Sequence, residues 1–455
     1  MPEVEESGGA PSRGEGPAVA PRDPGLPTAA DVDRAAALLG PVVPPTPLQR
    51  ADRLSELTGL EVWLKREDLT PVRSYKARGA YTVLAGLSEE ERARGVTCAS
   101  AGNHAQGVAF ACARAGVSAT IFLPRTTPRQ KRDRVAALGG DQVEVVIAGD
   151  QYDDAAVAAA DFAAASGATV IPAFDHPGII AGQGTVAAEI LAQSAALGWS
   201  PDALVLPVGG AGLIAGCLTV LGERLPGVRV LAAEPAGATS LAAALAAGAP
   251  VELDHVDPFV DGAAVRRVGD LTYRAVAAAT STIDVTLAAV PEGLICVEML
   301  DLYQVDGIIA EPAGALAPAA LRLPGVLEQG GPLAGLAPGS RVVVVVSGGN
   351  NDVSRYADIV ERALVHEWLK HYFLVEFPQE PGALRRFLDD VLGPDDDITL
   401  FEYTKRNNRE TGPALVGIEM HSRDDLPGLL ARLDESRLRV EKISPDSPLF
   451  GFVFS

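Results

Sequence analysis

The chain has 455 residues, of which 47% are hydrophobic, and its mean hydropathy is +0.17. This length allows about two to four domains, and the composition excludes disorder as the dominant state. The 38 Lys and Arg residues against 59 Asp and Glu residues give a net charge of −21. Nucleic acids and anionic membranes bind basic surfaces, so we expect neither as a partner and favour a small molecule.

Four cysteines, Cys98, Cys112, Cys217 and Cys296, are scattered without a C-x-x-C pair or a His partner at metal-ligand spacing. We therefore expect no metal site and a reducing compartment. The sequence also has no apolar run long enough for a membrane helix and no apolar segment near its N-terminus. These features predict a cytoplasmic protein.

Residues 1–28 are rich in Pro, Gly, Glu and Ser and lack hydrophobic periodicity, which predicts a disordered tail. The following residues alternate short apolar runs with helical patterns. Strands are predicted at 61–65, 96–99, 119–123, 142–146, 168–172, 203–208, 228–233 and 341–346. This alternation predicts βα units around a mostly parallel sheet, with the β-branched run that ends at Val346 as a central strand.

The composition changes near residue 366. Beyond it the pattern predicts a strand over 372–377, a helix up to 391, strands over 398–403 and 414–420, and a helix over 426–433. This β-α-β-β-α order is typical of a small antiparallel sheet with helices on one face. Residues 366–455 are therefore predicted to form a separate α+β domain.

Lys76 occupies an unusual position for a cation. The tripeptide Ser74-Tyr75-Lys76 follows Pro71 and opens an apolar-periodic helix, so the lysine lies near a helix N-terminus. Added positive charge is disfavoured there. Two interpretations remain open: Lys76 is exposed on the helix face, or its amine has been converted into a less basic imine, with pyridoxal phosphate as the candidate partner.

The segment Gly209-Gly210-Ala211-Gly212-Leu213 joins the apolar run 203–208 to a helix. Glycines let such a turn present several N–H groups, next to a helix N-terminus, to one phosphate. The segment lacks the spacing of a P-loop or of a dinucleotide-binding loop, so it predicts a monophosphate site or an ordinary βα turn. A second glycine-rich turn is expected around Gly182 and Gly184, before a helix over 185–193.

Two further polar segments follow predicted strands. Ser100-Ala101-Gly102-Asn103-His104 leads into a helix, and we expect its amides to bind a substrate carboxylate and Asn103 to donate to a ring oxygen. His104 is expected to pack or to form a hydrogen bond rather than to carry a proton. Ser347 follows the valine-rich strand, at the carboxyl end where ligands of open α/β sheets bind; the alternative is a simple turn.

Together these segments resemble one known family. Lys76 in Ser-Tyr-Lys-Ala-Arg-Gly-Ala, Asn103 in Ser-Ala-Gly-Asn-His-Ala-Gln-Gly, the loop 209–213, Glu311 in Glu-Pro-Ala-Gly-Ala and Ser347 in Ser-Gly-Gly-Asn occur in the order and rough spacing of the threonine dehydratases. Over about residues 30–455 the sequence resembles the biosynthetic threonine ammonia-lyases.

The resemblance implies a catalytic α/β domain of PLP-dependent fold type II, like tryptophan synthase β, over residues 29–365, with a smaller subdomain at about 75–170. It implies that Lys76 forms the covalent link to pyridoxal 5'-phosphate and that the freed amine is the general base. Asn103 would bond the ring 3'-oxygen, and Ser347 would face the ring nitrogen. The phosphate would be bound by Gly209, Gly210, Ala211, Gly212 and Leu213, and the substrate carboxylate by Ser100, Ala101, Gly102, Asn103 and His104.

Three positions inform the reaction type. A hydroxyl at Ser347 does not force the ring nitrogen to be protonated, which favours elimination over transamination or racemisation. Ala101 stands where serine racemases that resemble this fold carry a hydroxyl, and its methyl also favours elimination. Ala211 interrupts a loop that is commonly all glycine, and its methyl is expected to be tolerated if its φ is negative.

Residues 366–455 resemble a single ACT-like regulatory domain, through segments 370–373, 377–384 and 401–405, whereas longer family members carry two such units. The alternative is a structural dimerisation module. The resemblance implies isoleucine as inhibitor, valine as a possible second effector, and a homo-oligomer, expected to be a homotetramer.

The implied function is the PLP-dependent conversion of L-threonine to 2-oxobutanoate and ammonia, the first step of isoleucine biosynthesis, with feedback inhibition by isoleucine. Two alternatives remain. A serine dehydratase or racemase would share every cofactor residue, whereas a non-catalytic amino-acid-sensing module would bind isoleucine without turnover.

Overall fold

The computed structural model describes residues 23, 25–405, 409–436, 438–444 and 447. Most of the predicted tail, residues 1–22 and 24, lies outside these described residues. Two residues before the predicted boundary at residue 29 already contact the catalytic domain. Asp23 forms an ion pair with Arg274 at 2.5 Å, and Thr28 caps the first helix.

The strands are, in chain order, β1 (Leu48–Arg50), β2 (Glu61–Arg66), β3 (Val96–Ala99), β4 (Ala119–Leu123), β5 (Val143–Ile147), β6 (Thr169–Val170), β7 (Ala203–Pro207), β8 (Arg229–Pro235), β9 (Asp284–Val290), β10 (Arg341–Val346), β11 (Lys370–Pro378), β12 (Asp397–Tyr403), β13 (Thr411–Glu419) and β14 (Arg439–Ile443).

The helices are α1 (Ala29–Leu39), α2 (Asp52–Thr58), α3 (Lys76–Ala85), α4 (Glu89–Arg94), α5 (Asn103–Ala115), α6 (Arg129–Gly139), α7 (Tyr152–Ser166), α8 (Pro177–Ala196), α9 (Gly212–Arg224), α10 (Ser240–Ala247), α11 (Asp270–Ala279), α12 (Glu292–Gln304), α13 (Pro312–Ala320), α14 (Tyr356–His366), α15 (Ala383–Val391) and α16 (Leu426–Glu435). Within the described ranges, none of them has both the length and the apolar character that a membrane crossing needs.

The largest sheet has six strands in the order β1-β2-β10-β7-β8-β9. Only β1 runs antiparallel to its neighbour, and the other pairs are parallel. Val342–Val346 of β10 are fully buried between β2 and β7, which confirms the prediction of a central strand. Because parallel strands share one carboxyl edge, the residues that follow β2, β7 and β10 meet there.

A second, four-stranded parallel sheet has the order β5-β4-β3-β6. Its strands fall within the range predicted for the smaller subdomain. Helices α3 and α5 pack against each other, and α3 also packs against α8 of the larger part. The carboxyl edges of both parallel sheets border the region between them, where α3 and α5 begin.

The glycines at 182 and 184 do not form a turn but lie inside α8. A Cβ on Gly182 would lie 2.7 Å from the carbonyl oxygen of Arg78 in α3, and a Cβ on Gly184 would lie 2.7 Å from the carbonyl oxygen of Gly216 in α9. The predicted turn is therefore wrong, because these glycines let three helices pack closely. That requirement comes from residues distant in sequence.

The C-terminal domain is an antiparallel sheet in the order β12-β13-β11-β14. Phe387 of α15 and Leu429 of α16 are buried in one core with this sheet. The predicted β-α-β-β-α order is confirmed, and β14 follows it as an unpredicted edge strand. The predicted fold class, an α/β catalytic domain with a C-terminal α+β domain, is confirmed.

Candidate active site

Lys76 is the first residue of α3, at the carboxyl edge of the large sheet. The preceding segment is held on this edge because Ser74 forms a β-bridge with Gly348, just after β10. The Lys76 Nζ donates to the carbonyl oxygen of Ala173 across 3.1 Å. The lysine thus lies at a helix N-terminus as predicted, but it points into the protein rather than away from it.

Burial lowers the pKa of the Lys76 amine to about 8, although the Glu311 carboxylate acts in the opposite direction. An unperturbed lysine has a pKa of about 10.4, so a much larger fraction of Lys76 is neutral near pH 7. The neutral amine is the form that attacks a carbonyl carbon and accepts a proton. The surroundings of Lys76 therefore suit covalent attachment and general-base chemistry.

A buried charge network fixes α3 behind Lys76. The guanidinium of Arg78 donates to Glu67 at 2.7 Å and to Glu189 of α8 at 2.5 Å. Lys65 of β2 adds a bond of 2.6 Å to Glu189 and one of 2.8 Å to the carbonyl oxygen of Thr46. Arg78, Glu67 and Lys65 are fully buried, so each charge depends on its partners.

The loop from Gly209 to Leu213 runs from β7 into the first turn of α9, as predicted. Within the described part of the chain, the N–H groups of these five residues have no hydrogen-bond acceptor. Unpaired amides at a helix N-terminus attract an anion. A Cβ on Gly210 would lie 2.2 Å from the ring of Phe174, so only glycine fits under that ring.

Ala211 has φ 65° and ψ 8°, the left-handed conformation, where it caps α9. A negative φ was the condition under which the Ala211 methyl was expected to be tolerated, and this condition is not met because the chain reverses sharply between β7 and the helix. Left-handed backbone costs an alanine about 1–2 kcal/mol, whereas glycine adopts it readily. Burial of the Ala211 methyl in the core against α9 offsets part of this cost.

The loop from Ser100 to His104 opens α5, with Gly102 as its cap. The N–H groups of Ala101, Asn103 and His104 have no acceptor among the residues described, which suits a carboxylate ligand. The His104 Nε2 bonds the carbonyl oxygen of Ile171 at 2.8 Å. Burial, and then the Lys76 charge, lower the pKa of His104 to about 4, so His104 is neutral near pH 7 and its Nε2 is occupied.

Asn103 is held between two other polar side chains. Its Nδ2 donates to the Glu311 carboxylate at 2.5 Å, and its Oδ1 accepts from Asn350 Nδ2 at 2.7 Å. Asn350 also donates to the carbonyl oxygen of Val72 at 2.8 Å. These bonds fix the orientation of the Asn103 amide, and the second Nδ2 proton remains free to bond a ligand.

Glu311 is a site residue to which the sequence assigned no role. Burial, assisted by Asp261, raises its pKa to about 7, while the bond from Asn103 opposes the shift. In the sequence, Glu311 directly precedes Pro312 at the start of α13 and therefore looks like an ordinary helix cap. Its position in the quoted Glu-Pro-Ala-Gly-Ala motif was the only available signal.

Ser347 lies directly after β10 and is buried. Its Oγ donates to the carbonyl oxygen of Ala313 at 2.9 Å, and its own carbonyl oxygen accepts from the N–H of Tyr75 at 3.2 Å. Ser347 is therefore tied by a backbone bond to the residue that precedes Lys76, and the two side chains border the same region.

Two links join the predicted segments into one site. The segment Ala173–Phe174 joins Lys76 to the glycine loop, through the Ala173 carbonyl oxygen and the Phe174 ring. The N–H of Glu311 donates to the carbonyl oxygen of Gly348 at 3.1 Å, so Glu311 links Asn103 to the end of β10. A low-pKa amine, unpaired loop amides, a donor amide and a buried hydroxyl fit pyridoxal phosphate.

Comparisons with known proteins agree with this donor set. Residues 39–348 match a family described as "Pyridoxal-phosphate dependent enzyme", and residues 361–453 match the "C-terminal regulatory domain of Threonine dehydratase". The protein is thus a PLP-dependent enzyme of fold type II that carries a regulatory domain.

Proteins of similar sequence and structure assign the chain to a narrower family within this class. The biosynthetic L-threonine dehydratase IlvA of Mycobacterium tuberculosis is 59% identical over 424 residues, which cover 93% of this chain and 95% of that protein. The processed threonine deaminase isoform 2 of Solanum lycopersicum has a TM-score of 0.65 at 36% identity and covers 75% of this chain and 96% of its own. Maize serine racemase has a TM-score of 0.66 at 28% identity, covering 75% and 99%. The chain belongs to the biosynthetic L-threonine dehydratase family.

Proposed function

We propose that the protein converts L-threonine to 2-oxobutanoate and ammonia with pyridoxal phosphate bound at the site around Lys76. The observation that carries the proposal is the Lys76 amine, whose pKa is lowered to about 8 where α3 meets the edge of the large sheet. The glycine loop joined to it through Ala173 and Phe174 supplies unpaired amides for a phosphate.

In this proposal Lys76 holds the cofactor covalently, and the amides of Gly209–Leu213 bind its phosphate. The free proton of Asn103 Nδ2 bonds the ring oxygen. Ser347 faces the ring nitrogen, and because a hydroxyl has one proton, donation there requires Ser347 to release the carbonyl oxygen of Ala313. When bound, the cofactor supplies an electron sink that acidifies the Cα–H of an amino acid.

Once the amine of threonine has displaced Lys76 from the cofactor, the freed Lys76 would be the general base of the reaction. Its neutral amine removes the α-proton of threonine, while the amides of the Ser100–His104 loop hold the substrate carboxylate and direct Cα–H toward Nζ. The β-hydroxyl takes up one proton, equivalent to the one removed from Cα, and leaves as water. The released enamine tautomerises and reacts with water to give 2-oxobutanoate and ammonia.

The main alternative is a serine racemase or dehydratase, which the likeness to maize serine racemase favours at the level of the fold. Ala101 opposes racemisation because its methyl cannot deliver a proton. An assay of 2-oxobutanoate from threonine, pyruvate from serine and D-serine from L-serine separates these functions. We expect threonine turnover to dominate; dominant D-serine formation would contradict the proposal.

A non-catalytic sensing module is the second alternative. It predicts isoleucine binding without turnover, and the intact set of Lys76, Asn103 and Ser347 argues against it. Lys76→Ala tests the chemistry directly. If this variant kept both a covalently bound cofactor absorbance and threonine turnover, the role of Lys76 would be wrong.

The regulatory part of the proposal is that isoleucine binds residues 366–455 and raises the apparent threonine requirement, with valine as a candidate second effector and a homotetramer as the working assembly. The match of residues 361–453 to a threonine dehydratase regulatory domain supports it. Removal of residues from 366 onward should abolish the isoleucine effect and spare the chemistry. Unchanged inhibition in the truncated protein would place the effector site elsewhere.

A cytoplasmic location completes the proposal. All four cysteines are free and buried, as is compatible with a reducing compartment. Fractionation of the producing cells tests the location.

A further inference from the structure

A second cleft, of about 350 Å³, lies beside the active site. Arg73, Lys131 and Arg134 line it, and Asp352 is the one acidic residue among the described residues of its lining. Lys76, the glycine loop and Ser347 do not line it. The chain as a whole has a net charge of −21, so a cleft lined by more basic than acidic residues is unusual for this protein.

Two of these cations are available to a ligand. Arg73 and Arg134 form no ion pair with any described residue, and the Arg134 guanidinium contacts the carbonyl oxygen of Pro71 only at 3.5 Å. Lys131 of α6 pairs with Asp261 at 2.7 Å and so reaches from the smaller parallel part to the larger one. The cleft therefore presents unneutralised guanidinium groups.

Arg73 has a left-handed backbone, with φ 56°. Its N–H donates to the carbonyl oxygen of Thr70 at 2.8 Å, and its carbonyl oxygen accepts from Gly349 at 2.9 Å. A Cβ on Gly349 would lie 3.2 Å from an Arg73 guanidinium nitrogen, so the glycine leaves space for that group. Strained residues held in this way cluster at ligand sites.

Gln106 provides an independent sign of a ligand. It lines the cleft, is only 3% exposed, and its Oε1 has no hydrogen-bond partner among the described residues. A buried polar atom normally has a partner. Gln106 follows Asn103 by one turn of α5, so this unpartnered amide lies next to the active-site wall.

We propose that this cleft binds a small molecule that carries more than one phosphate charge. Arginine forks match phosphate oxygens, and two guanidinium groups without an ion-pair partner among the described residues exceed what the single carboxylate of an amino acid needs. The neutral amides of Gln106, Gln130 and Asn351 provide polar contacts for the rest of the ligand.

The cleft and the active site share a wall. Asn350 lines the cleft and donates to Asn103 Oδ1 at 2.7 Å. A ligand that moves Asn350 changes the hydrogen bonds that orient Asn103. Occupancy of the cleft should therefore alter the absorbance of the bound cofactor, even without threonine.

The test is a titration of the holoenzyme with pyrophosphate, followed by calorimetry and by cofactor absorbance, with inorganic phosphate as the less charged probe. Arg134→Gln removes a cleft cation that has no catalytic role. Arg129→Gln is the matched control, because Arg129 lies on the same helix, is 87% exposed and does not line the cleft.

We expect one saturable pyrophosphate site per chain, weaker binding of inorganic phosphate, and at least tenfold weaker pyrophosphate binding in Arg134→Gln. Arg129→Gln should bind like wild type, and both variants should keep basal threonine turnover. The proposal fails if wild type shows no saturable binding, if Arg134→Gln binds with unchanged affinity, or if saturating threonine displaces pyrophosphate completely.

Discussion

Glu311 and Asn103 are 208 residues apart, yet the amide of Asn103 donates to the Glu311 carboxylate across 2.5 Å. This bond aligns Asn103 with the site, but it leaves an ionisable group in the interior. Burial raises the pKa of Glu311 to about 7 from 4.5. Compared with the unfolded chain, the folded state therefore shifts Glu311 toward its neutral form.

The first prediction concerns the pH dependence of stability. Because the folded pKa of Glu311 is raised, its contribution to stability is fully present below pH 4.5 and is lost as the pH rises through 7, which amounts to about 3 kcal/mol. Glu311→Gln removes this loss. The melting temperature of the variant relative to wild type should rise between pH 4.5 and 7 and level off above 8. A difference that stays constant with pH would contradict the assigned titration.

The second prediction concerns Lys76. Lys76→Ala should lose the covalent cofactor absorbance and lower turnover by on the order of 10²–10⁴-fold, the range for removal of a general base. In wild-type apoprotein, the rate of covalent cofactor attachment should rise with pH to a midpoint near 8, because the neutral amine is the nucleophile. A midpoint near 10, as for an exposed lysine, would show that the amine is not buried.

Ala211 supplies the third prediction. Ala211→Gly should change the free energy of unfolding by no more than about 1 kcal/mol, because relief of the left-handed backbone is offset by glycine entropy and the lost methyl. Ala211→Val should destabilise by more than about 2 kcal/mol, since β-branched residues avoid positive φ. Urea unfolding of both variants measures this. Equal stability of the Val and Gly variants would mean that φ at this residue is negative.

The fourth prediction tests the charge network behind Lys76. Arg78→Met leaves the fully buried Glu67 without its main partner and should cost about 3–5 kcal/mol of stability. The control is Arg129→Met, whose ion pair with Asp133 is exposed and is worth at most about 0.5 kcal/mol. Similar urea midpoints for the two variants would show that the network does not hold α3.

The fifth prediction concerns communication with the C-terminal domain. Glu361 of α14 accepts from Lys370 at 2.5 Å and from the hydroxyl of Tyr372, both at the start of β11. Glu361→Gln should leave threonine turnover without isoleucine unchanged and raise the isoleucine concentration for half-inhibition at least fivefold, the lower range of allosteric coupling.

The matched control for Glu361 is Arg385→Gln, because Arg385 is an exposed residue of α15 whose pair with Asp389 is also exposed. Isoleucine inhibition should be unchanged in this variant. If isoleucine inhibition were also unchanged in Glu361→Gln, the C-terminal domain would have to influence the catalytic domain through another contact.

The sequence predicted the parts of the fold whose signal is local. The strands β3, β4 and β10 have the predicted bounds, and Lys76, Asn103 and the glycine loop begin helices as expected. Helix α13 was not predicted because it contains a glycine and Pro318, yet it is entirely buried, so packing overrides weak helix propensity. Strands β9 and β14, which are sheet edges, and helix α11 were missed as well.

What the sequence did not provide was contact between distant residues. Glu311 acquires its role only when α13 meets α5, and Gly182 only when α8 meets α3. The φ of Ala211 depends on how β7 enters α9, which no local pattern specifies. The site residues themselves were found because their segments follow strands at the carboxyl edges of the two parallel sheets.

The β-bridge between Ser74 and Gly348 also bears on how the protein is made. Ser74 and Lys76 lie in the first fifth of the chain, but Gly348 follows a strand, β10, that a ribosome releases only after most of the enzyme has been synthesised. A nascent chain that ends before β10 has the lysine without its sheet edge. Capture of the cofactor should therefore be a late event of biogenesis that follows closure of the large sheet.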